Sequence, residues 1–267
     1  MHASGRLSRL LIMLALTAGA ARAADHEPAL VIYGMESKPI CFTENGKPAG
    51  FAVELAQQVT YRLNRHDDIK VVPWARASAM ALAAPNVMAL TMVRTPEREL
   101  TMRFVGPIFN SYIAIFASKS QAPQLRAQGR GAWLALRGAA RRGSAFIAIA
   151  QRHGYRITDE TNGSESAARM LVQGRFDLWF EGEEIAMEAA RAAGLRDGEV
   201  ELLQRLETQE VNFAFSRATP VATVQAWEAA LRDMKRDGTF QKLHRKWLPG
   251  YPLPGEAKAG VPAKAGH

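Results

Sequence analysis

The sequence predicts an α/β protein with a largely parallel sheet and two lobes, and three observations support this. The chain has 267 residues, 48 % of them apolar, which is enough for a sizeable core. Short apolar runs alternate with amphipathic segments, an order typical of strands joined by crossover helices. Residues 119–143 are rich in Gly, Ala and positive charge and contain no acid, so we expect a second lobe to begin near Ser118.

The first part of the chain reads as alternating strands and helices. In order, we expect a strand at 30–33, a turn at 44–47, a helix at 51–63, a strand at 69–72, a helix at 75–84 and strands at 87–90 and 111–117.

The second part shows the same alternation. We expect helices at 144–153, 164–173 and 185–193, and strands at 176–180 and 211–215. Pro220 in a first turn predicts a further helix, which Asp237 and Gly238 end. Its apolar stripe consists of Val221, Val224, Trp227, Leu231 and Met234. A shorter helix reaches Trp247, and we expect residues 251–267 to form a disordered tail.

Residues 1–23 have the pattern of a cleaved signal peptide. Arg6 and Arg9 precede the apolar run 10–20, and Ala21-Arg22-Ala23 supplies small residues for cleavage. A membrane anchor is the alternative, but this run is far shorter than the roughly 20 apolar residues that a spanning helix needs. We therefore expect export.

Charge and cysteine content exclude some functions. The net charge is +8, and a dense basic run contains Arg137, Arg141 and Arg142 without interleaved aromatic residues. This pattern does not favour a nucleic-acid partner. Cys41 is the single cysteine, so no intrachain disulfide is expected, and we interpret Cys41 as a small buried residue.

Three groups of motifs resemble one known family. The first comprises 38–42 (KPICF) and 46–55 (GKPAGFAVEL), the second 94–99 (RTPERE) and 104–108 (FVGPI), and the third 174–177 (GRFD), 237–243 (DGTFQKL) and 246–248 (KWL). In this order they resemble the family-three extracellular solute-binding proteins, which serve polar amino acid ABC transporters. The resemblance covers residues 30–247.

The resemblance implies the two-lobed periplasmic binding protein fold of type II, with the lobes joined by two crossing strands. Lobe one would comprise 24–117 and 208–250, and lobe two 118–207. A small ligand would be enclosed in the cleft between the lobes by hinge closure. The expected location is the periplasm.

The family position that grips a ligand carboxylate corresponds here to Arg98, at the end of the Thr95-Pro96-Glu97-Arg98 motif. A guanidinium binds a carboxylate with two charge-assisted hydrogen bonds. The alternative is a surface arginine paired with Glu97 or Glu99. Arg94 has the same chemistry but no family position.

Further ligand contacts are implied by the same resemblance. Thr91 lies where the family uses a strand-end hydroxyl or a backbone group, and Gly143 and Ser144 lie where it uses a helix N-terminus, which suits an anion. Ser144 could instead be a plain helix cap.

Trp74 and Arg76 directly follow a predicted strand, where side chains face the cleft of an α/β lobe. Pro73-Trp74-Ala75-Arg76 also resembles a branch of the family. The alternative for Trp74 is packing in the core. Tyr33 could replace an aromatic residue that the family has before its Pro-Phe turn, or could be an ordinary strand residue.

The chain departs from the family at Gly182, where amino-acid-binding members place an Asp that pairs with the ligand's α-ammonium. Glu181 or Glu183 could substitute. A ligand with a carboxylate, with or without an amine, is therefore expected.

No enzyme is expected, because the six histidines are scattered and neither a nucleophile motif nor metal-ligand spacing occurs. We expect no cofactor and no metal. The first hypothesis is a monomeric receptor that binds a small carboxylated molecule and delivers it to an inner-membrane ABC permease. The second is a cyclohexadienyl or arogenate dehydratase on the same fold, with Glu181 or Glu183 as general acid. The third is an orphan binding protein with a sensory role.

Overall fold

The computed structural model describes residues 29–256. The predicted signal peptide and residues 257–267 of the predicted tail lie outside this range. Within it, no helix is both long and apolar enough to cross a membrane.

The described chain alternates strands and helices. Its first part contains β1 (Val31–Gly34), β2 (Phe42–Glu44), β3 (Lys47–Ala49), α1 (Phe51–Arg62), β4 (Asp68–Val71), α2 (Trp74–Ala83), β5 (Val87–Val93), α3 (Pro96–Glu99) and β6 (Met102–Ser118). Its second part contains α4 (Ala122–Gln128), α5 (Arg130–Trp133), β7 (Gly138–Arg141), α6 (Ala145–Arg152), β8 (Ile157–Thr161), α7 (Ser164–Val172), β9 (Leu178–Gly182), α8 (Glu183–Ala192), β10 (Val200–Ser216), α9 (Val221–Arg236) and α10 (Thr239–Trp247).

Eight strands form one sheet in the order β4-β1-β5-β10-β6-β9-β7-β8. The strands β4, β1 and β5 at one end are parallel, as are β9, β7 and β8 at the other. In the centre, β10 and β6 pair antiparallel with each other and with their outer neighbours. The sheet is therefore mixed rather than largely parallel, because two long strands are inserted between two parallel groups.

These two long strands join the lobes, as expected. We use "first lobe" for the end with β1, β4 and β5, and "second lobe" for the end with β7, β8 and β9. β10 pairs with β5 through Val211–Phe215, and β6 pairs with β9 through Ile113–Phe116. The strand β6 thus enters the second lobe before the predicted boundary at Ser118, because its last residues belong to that lobe's sheet.

Each lobe packs helices on its end of the sheet. In the first, the fully buried Trp227 of α9 makes edge-on contacts with Phe213 and Phe215 of β10. In the second, Phe146 and Ile149 of α6 are buried in the core, and Tyr155 in the loop after α6 packs against Phe180 of β9. The predicted stripe of α9 is buried except for its first residue, Val221, which is exposed.

Cys41 and the first residues of the predicted tail both pack into the fold. Cys41 is buried, and burial raises the pKa of its thiol to about 12, so it is a protonated core residue as interpreted. The first residues of the predicted tail are not free: Tyr251 packs on Tyr112 with ring centroids 5.8 Å apart, and Leu253 contacts the core.

Candidate ligand-binding site

A cavity of about 50 Å³ lies between the lobes. Its lining is mainly apolar, with three charged side chains, Arg98, Arg141 and Glu184. The remaining residues that line it are Met35, Ser37, Ile40, Trp74, Thr91, Met92, Val93, Phe109, Ser111, Ser144, Ala145, Phe146, Ile185 and Val211. An apolar cavity with a few converging polar groups is the usual form of a small-molecule site.

Arg98 is placed in this cavity by the short helix α3, which follows directly after β5. Thr95 is the N-cap of α3, and its hydroxyl accepts a hydrogen bond from the Arg98 backbone N–H at 3.4 Å. The Arg98 side chain donates from Nη1 to the Val93 carbonyl at 3.0 Å. Burial lowers the pKa of this guanidinium, because its charged form has lost hydration. An anionic partner would stabilise that charged form.

Gly143, a predicted site residue, does not itself line the cavity, but its carbonyl oxygen joins the two lobes beside it. It accepts hydrogen bonds from Trp74 Nε1 at 3.1 Å and from Arg98 Nη2 at 3.5 Å. Trp74 and Arg98 belong to the first lobe and Gly143 to the second, so the lobes are closed on each other. Trp74 is buried and lines the cavity.

Thr91 and Ser144 line the cavity from opposite lobes. Ser144 occupies the N-cap position of α6, but its hydroxyl makes no capping bond and donates instead to the Arg141 carbonyl at 2.6 Å. The first-turn N–H groups of α6 therefore have no side-chain cap beside the cavity.

Two predicted site residues, Arg76 and Tyr33, do not line this cavity. Arg76 is exposed, because it lies two positions after Trp74 on α2, a rotation of about 200° around the helix axis. Tyr33 is buried in the core of the first lobe, as its alternative interpretation stated.

The predicted carboxylates Glu181 and Glu183 do not line the cavity either. Glu181 is fully buried and accepts hydrogen bonds from Arg141 Nη2 at 2.6 Å and Ser164 Oγ at 2.8 Å. Glu183 forms an ion pair with Arg205, with Oε1 and Nη2 2.9 Å apart. Each carboxylate is thus held by an arginine of its own.

The carboxyl group that does line the cavity is Glu184, which the sequence analysis missed. Ser111 Oγ donates to Glu184 Oε1 at 2.5 Å, and the Tyr112 backbone N–H donates to Oε2 at 3.2 Å. Burial nevertheless raises its pKa to about 7, and the nearby charge of Glu181 acts in the same direction.

Gly182 provides the signal that could have identified Glu184. A Cβ added at Gly182 would lie only 2.4 Å from Glu184 Oε1, so the glycine leaves the space that this carboxyl group occupies. A glycine at this position thus indicates that a nearby acid, Glu184, occupies the vacated space.

Arg141 was also missed, because it stands in a run with exposed arginines. Arg137 and Arg142 expose about half of their side chains, whereas Arg141 is buried at the carboxyl end of β7. The informative signal was the small apolar pair Ala139-Ala140 directly before it, since cleft residues follow the carboxyl ends of parallel strands.

Arg94, the other arginine of the RTPERE motif, pairs with Glu99 outside the cavity.

The chain matches one family of known proteins over most of its length. The family model of the bacterial extracellular solute-binding proteins, family 3, matches residues 30–250. The chain belongs to this family. A curated relative is the L-cystine-binding protein TcyA of Bacillus subtilis (strain 168), 22 % identical over 208 residues, or 77 % of this chain and 74 % of that protein.

Two solved structures share the fold of this family 3 protein. A histidine kinase sensor domain with similarity to periplasmic binding proteins has a TM-score of 0.76 and 20 % identity, covering 85 % of this chain and 99 % of that one. The arginine-, lysine-, histidine-binding protein ArtJ of Geobacillus stearothermophilus has a TM-score of 0.71 and 16 % identity, covering 84 % and 96 %. The type II two-lobed fold is thereby confirmed.

Proposed function

We propose that this family 3 solute-binding protein captures a small carboxylated molecule, an amino acid or a related acid, in the cleft between its lobes. In this proposal it works in the periplasm, without catalysis, and presents the closed form to an ABC importer. The observation that carries the proposal is the Arg98 guanidinium in the wall of an interlobe cavity.

The surroundings of Arg98 suit an anion. Two of its nitrogens donate to the backbone carbonyls of Val93 and Gly143. The hydrogen bond to Gly143 is long, at 3.5 Å. A carboxylate would make shorter, charge-assisted bonds. The uncapped N–H groups at the start of α6 add a second attraction for negative charge.

Glu184 supports an amine on the same ligand. A carboxyl group with a pKa of about 7 is partly ionised at neutral pH, and an ammonium group beside it would favour the ionised form. The names of TcyA and ArtJ, which bind amino acids, agree with this class of ligand.

Thermal unfolding with a ligand panel tests the proposal. Protein freed of bound molecules by unfolding and refolding would be screened with the common amino acids and with short mono- and dicarboxylic acids. We expect at least one carboxylate to raise Tm and its decarboxylated analogue not to do so, because a ligand that binds only the folded state stabilises it. A panel without any shift would contradict the proposal.

The importer is tested by uptake. Deleting the gene in its host should abolish high-affinity uptake of the radiolabelled ligand, and restoring the gene should restore it. Unchanged uptake would remove the importer as partner while leaving the binding function intact.

The dehydratase alternative is favoured by one observation, the raised pKa of Glu184, since a protonated carboxyl group in a cleft can act as a general acid. Glu181 and Glu183, the general acids predicted from the sequence for this alternative, are each paired with an arginine. Incubation with prephenate and arogenate, followed by NMR, decides the matter. We expect unchanged substrate, and product formation lost in Glu184→Gln would establish the enzyme.

A further inference from the structure

The guanidinium of Arg141 is firmly held on one side and lacks oxygen acceptors on the other. Its Nη2 donates to Glu181 at 2.6 Å and to Ser164 Oγ at 3.2 Å. Its Nη1 faces the sulfur of Met35, and its Nε has no hydrogen-bond partner although it is buried. Because sulfur is a weak acceptor, two of the three nitrogens are poorly satisfied.

Such an arrangement is costly unless something else completes it. A buried donor without an acceptor loses its hydration and gains nothing in return. Arg141 lines the same cavity as Arg98, from the opposite lobe, so a ligand held by Arg98 lies within the space that Arg141 borders.

We propose that Arg141 is a specificity-determining residue that binds a second carboxylate of the ligand, so that the cleft selects a short diacid. This inference rests on the proposed function and names its substrate class. The second carboxylate would replace Met35 as the partner of Nη1, and the flexible thioether side chain would move aside.

The position of Arg141 is fixed before any ligand arrives. Glu181 and Ser164 both accept hydrogen bonds from Nη2 of the guanidinium. The Phe146 ring centroid lies 5.7 Å from Cζ, which is a cation–π contact. Glu181 is therefore a positioning residue. The N–H groups that remain for a carboxylate of the ligand are those of Nη1, in a cation whose position is already set.

The positive charge of Arg141 also disfavours a basic ligand. A side-chain ammonium or guanidinium near Arg141 would meet a like charge in a buried place, where repulsion is strong. The only carboxyl group that lines this cavity among the described residues is Glu184, and Glu181 is already engaged.

A second cavity limits the length of the ligand. It has a volume of about 300 Å³ and shares Met35, Trp74 and Arg141 with the first, so Arg141 stands at the boundary between them. Glu36 lines this outer cavity and would repel a carboxylate that extended beyond Arg141. A short diacid that does not reach past Arg141 is therefore expected.

Calorimetry with size-matched pairs tests this inference. The pairs are L-aspartate and L-asparagine, L-glutamate and L-glutamine, and succinate and succinamate, with L-lysine as a basic probe. We expect the diacid of at least one pair to bind about tenfold or more tightly than its monoamide, since bonds between charged groups are worth this much. L-lysine should bind more weakly than both.

Variants then assign the preference to Arg141. Arg141→Gln should remove the diacid preference and leave the monoamide within about twofold of its wild-type affinity. Because this change leaves Glu181 unpaired, the double variant Arg141→Gln/Glu181→Gln repeats the test in a neutral network. The neighbouring Arg142→Gln is the matched control and should keep the preference.

The outcomes separate the two proposals. Equal binding of diacid and monoamide in every pair, tighter binding of L-lysine, or a preference that survives in both Arg141 variants would overturn the inference and leave the proposed function standing. No binding of any carboxylate here or in the wider thermal panel would overturn both.

Discussion

At the scale of single residues, two arginines and one carboxyl group determine the charge of the cleft. Arg98 was predicted as a site residue from the resemblance of its motif to the family, and the motif is local: a strand end, a threonine cap and an arginine within one turn. Arg141 and Glu184 were not predicted, because Ala139-Ala140 and Gly182 are weak local signals and the burial of the two charged groups depends on Met35 and Ser111, which are distant in sequence. The charge of a side chain is visible in a sequence, but its burial is not.

The raised pKa of Glu184 predicts a pH-dependent stability. The pKa of Glu184 rises from 4.5 to about 7 in the folded protein, so the folded state binds the proton more tightly than the unfolded state. The free energy of unfolding of the ligand-free protein should therefore fall as pH rises from 4.5 to 7, with a contribution of roughly 3 kcal/mol.

Urea unfolding at several pH values in this range measures the effect. Glu184→Gln should lack this contribution, and Glu188→Gln on the same helix should retain it. Identical pH profiles for the wild type and Glu184→Gln would show that the carboxyl group does not have a raised pKa.

At the scale of elements, the helices with a clear apolar stripe could be predicted, and several strands could not. The stripe of α9 contains large residues at helical spacing, whereas β7 is Gly138–Arg141, three small residues and a charge. The outer part of β10, before Thr208, carries many polar residues and was not recognised as a strand. These strands are specified by their partners in the sheet, and pairing over long distances leaves little local pattern.

The short helix α3 gives a prediction at this scale. Thr95→Ala removes the side-chain acceptor for the Arg98 N–H and should lower the free energy of unfolding by about 1 kcal/mol. Ligand affinity should fall as well, since α3 orients Arg98. Thr95→Ser keeps the hydroxyl and should restore both the free energy of unfolding and the ligand affinity. Urea unfolding measures the first and calorimetry the second. A serine variant as defective as the alanine variant would argue against the cap.

At the scale of the whole molecule, the arrangement of the lobes followed from a family resemblance and not from periodicity. The alternation of strands and helices indicated an α/β protein, but it also suggested a largely parallel sheet. Only the pairing of β6 with β10 along their length shows how the chain passes between the lobes. The closed cleft likewise depends on single contacts, such as that of Trp74 with Gly143.

Closure predicts an effect of Trp74→Phe. The variant loses the indole donor to the Gly143 carbonyl but keeps an aromatic ring, so ligand affinity should fall about two- to tenfold, the value of one hydrogen bond. Trp133→Phe loses a similar bond, to the Leu125 carbonyl within the second lobe, and should leave affinity unchanged. Equal effects of the two variants in calorimetry would show that the interlobe bond has no special part in binding.

The most direct measurement is the affinity of Arg98→Gln for the carboxylate that gives the largest thermal shift, determined by calorimetry beside Arg94→Gln. Arg94 pairs with Glu99 outside the cavity and serves as the matched control. We predict that Arg98→Gln weakens binding by at least about tenfold, because charge-assisted hydrogen bonds to the carboxylate are lost, and that Arg94→Gln binds like the wild type. Wild-type affinity in Arg98→Gln, with a correctly folded protein, would contradict the assignment of the cleft as a carboxylate-binding site.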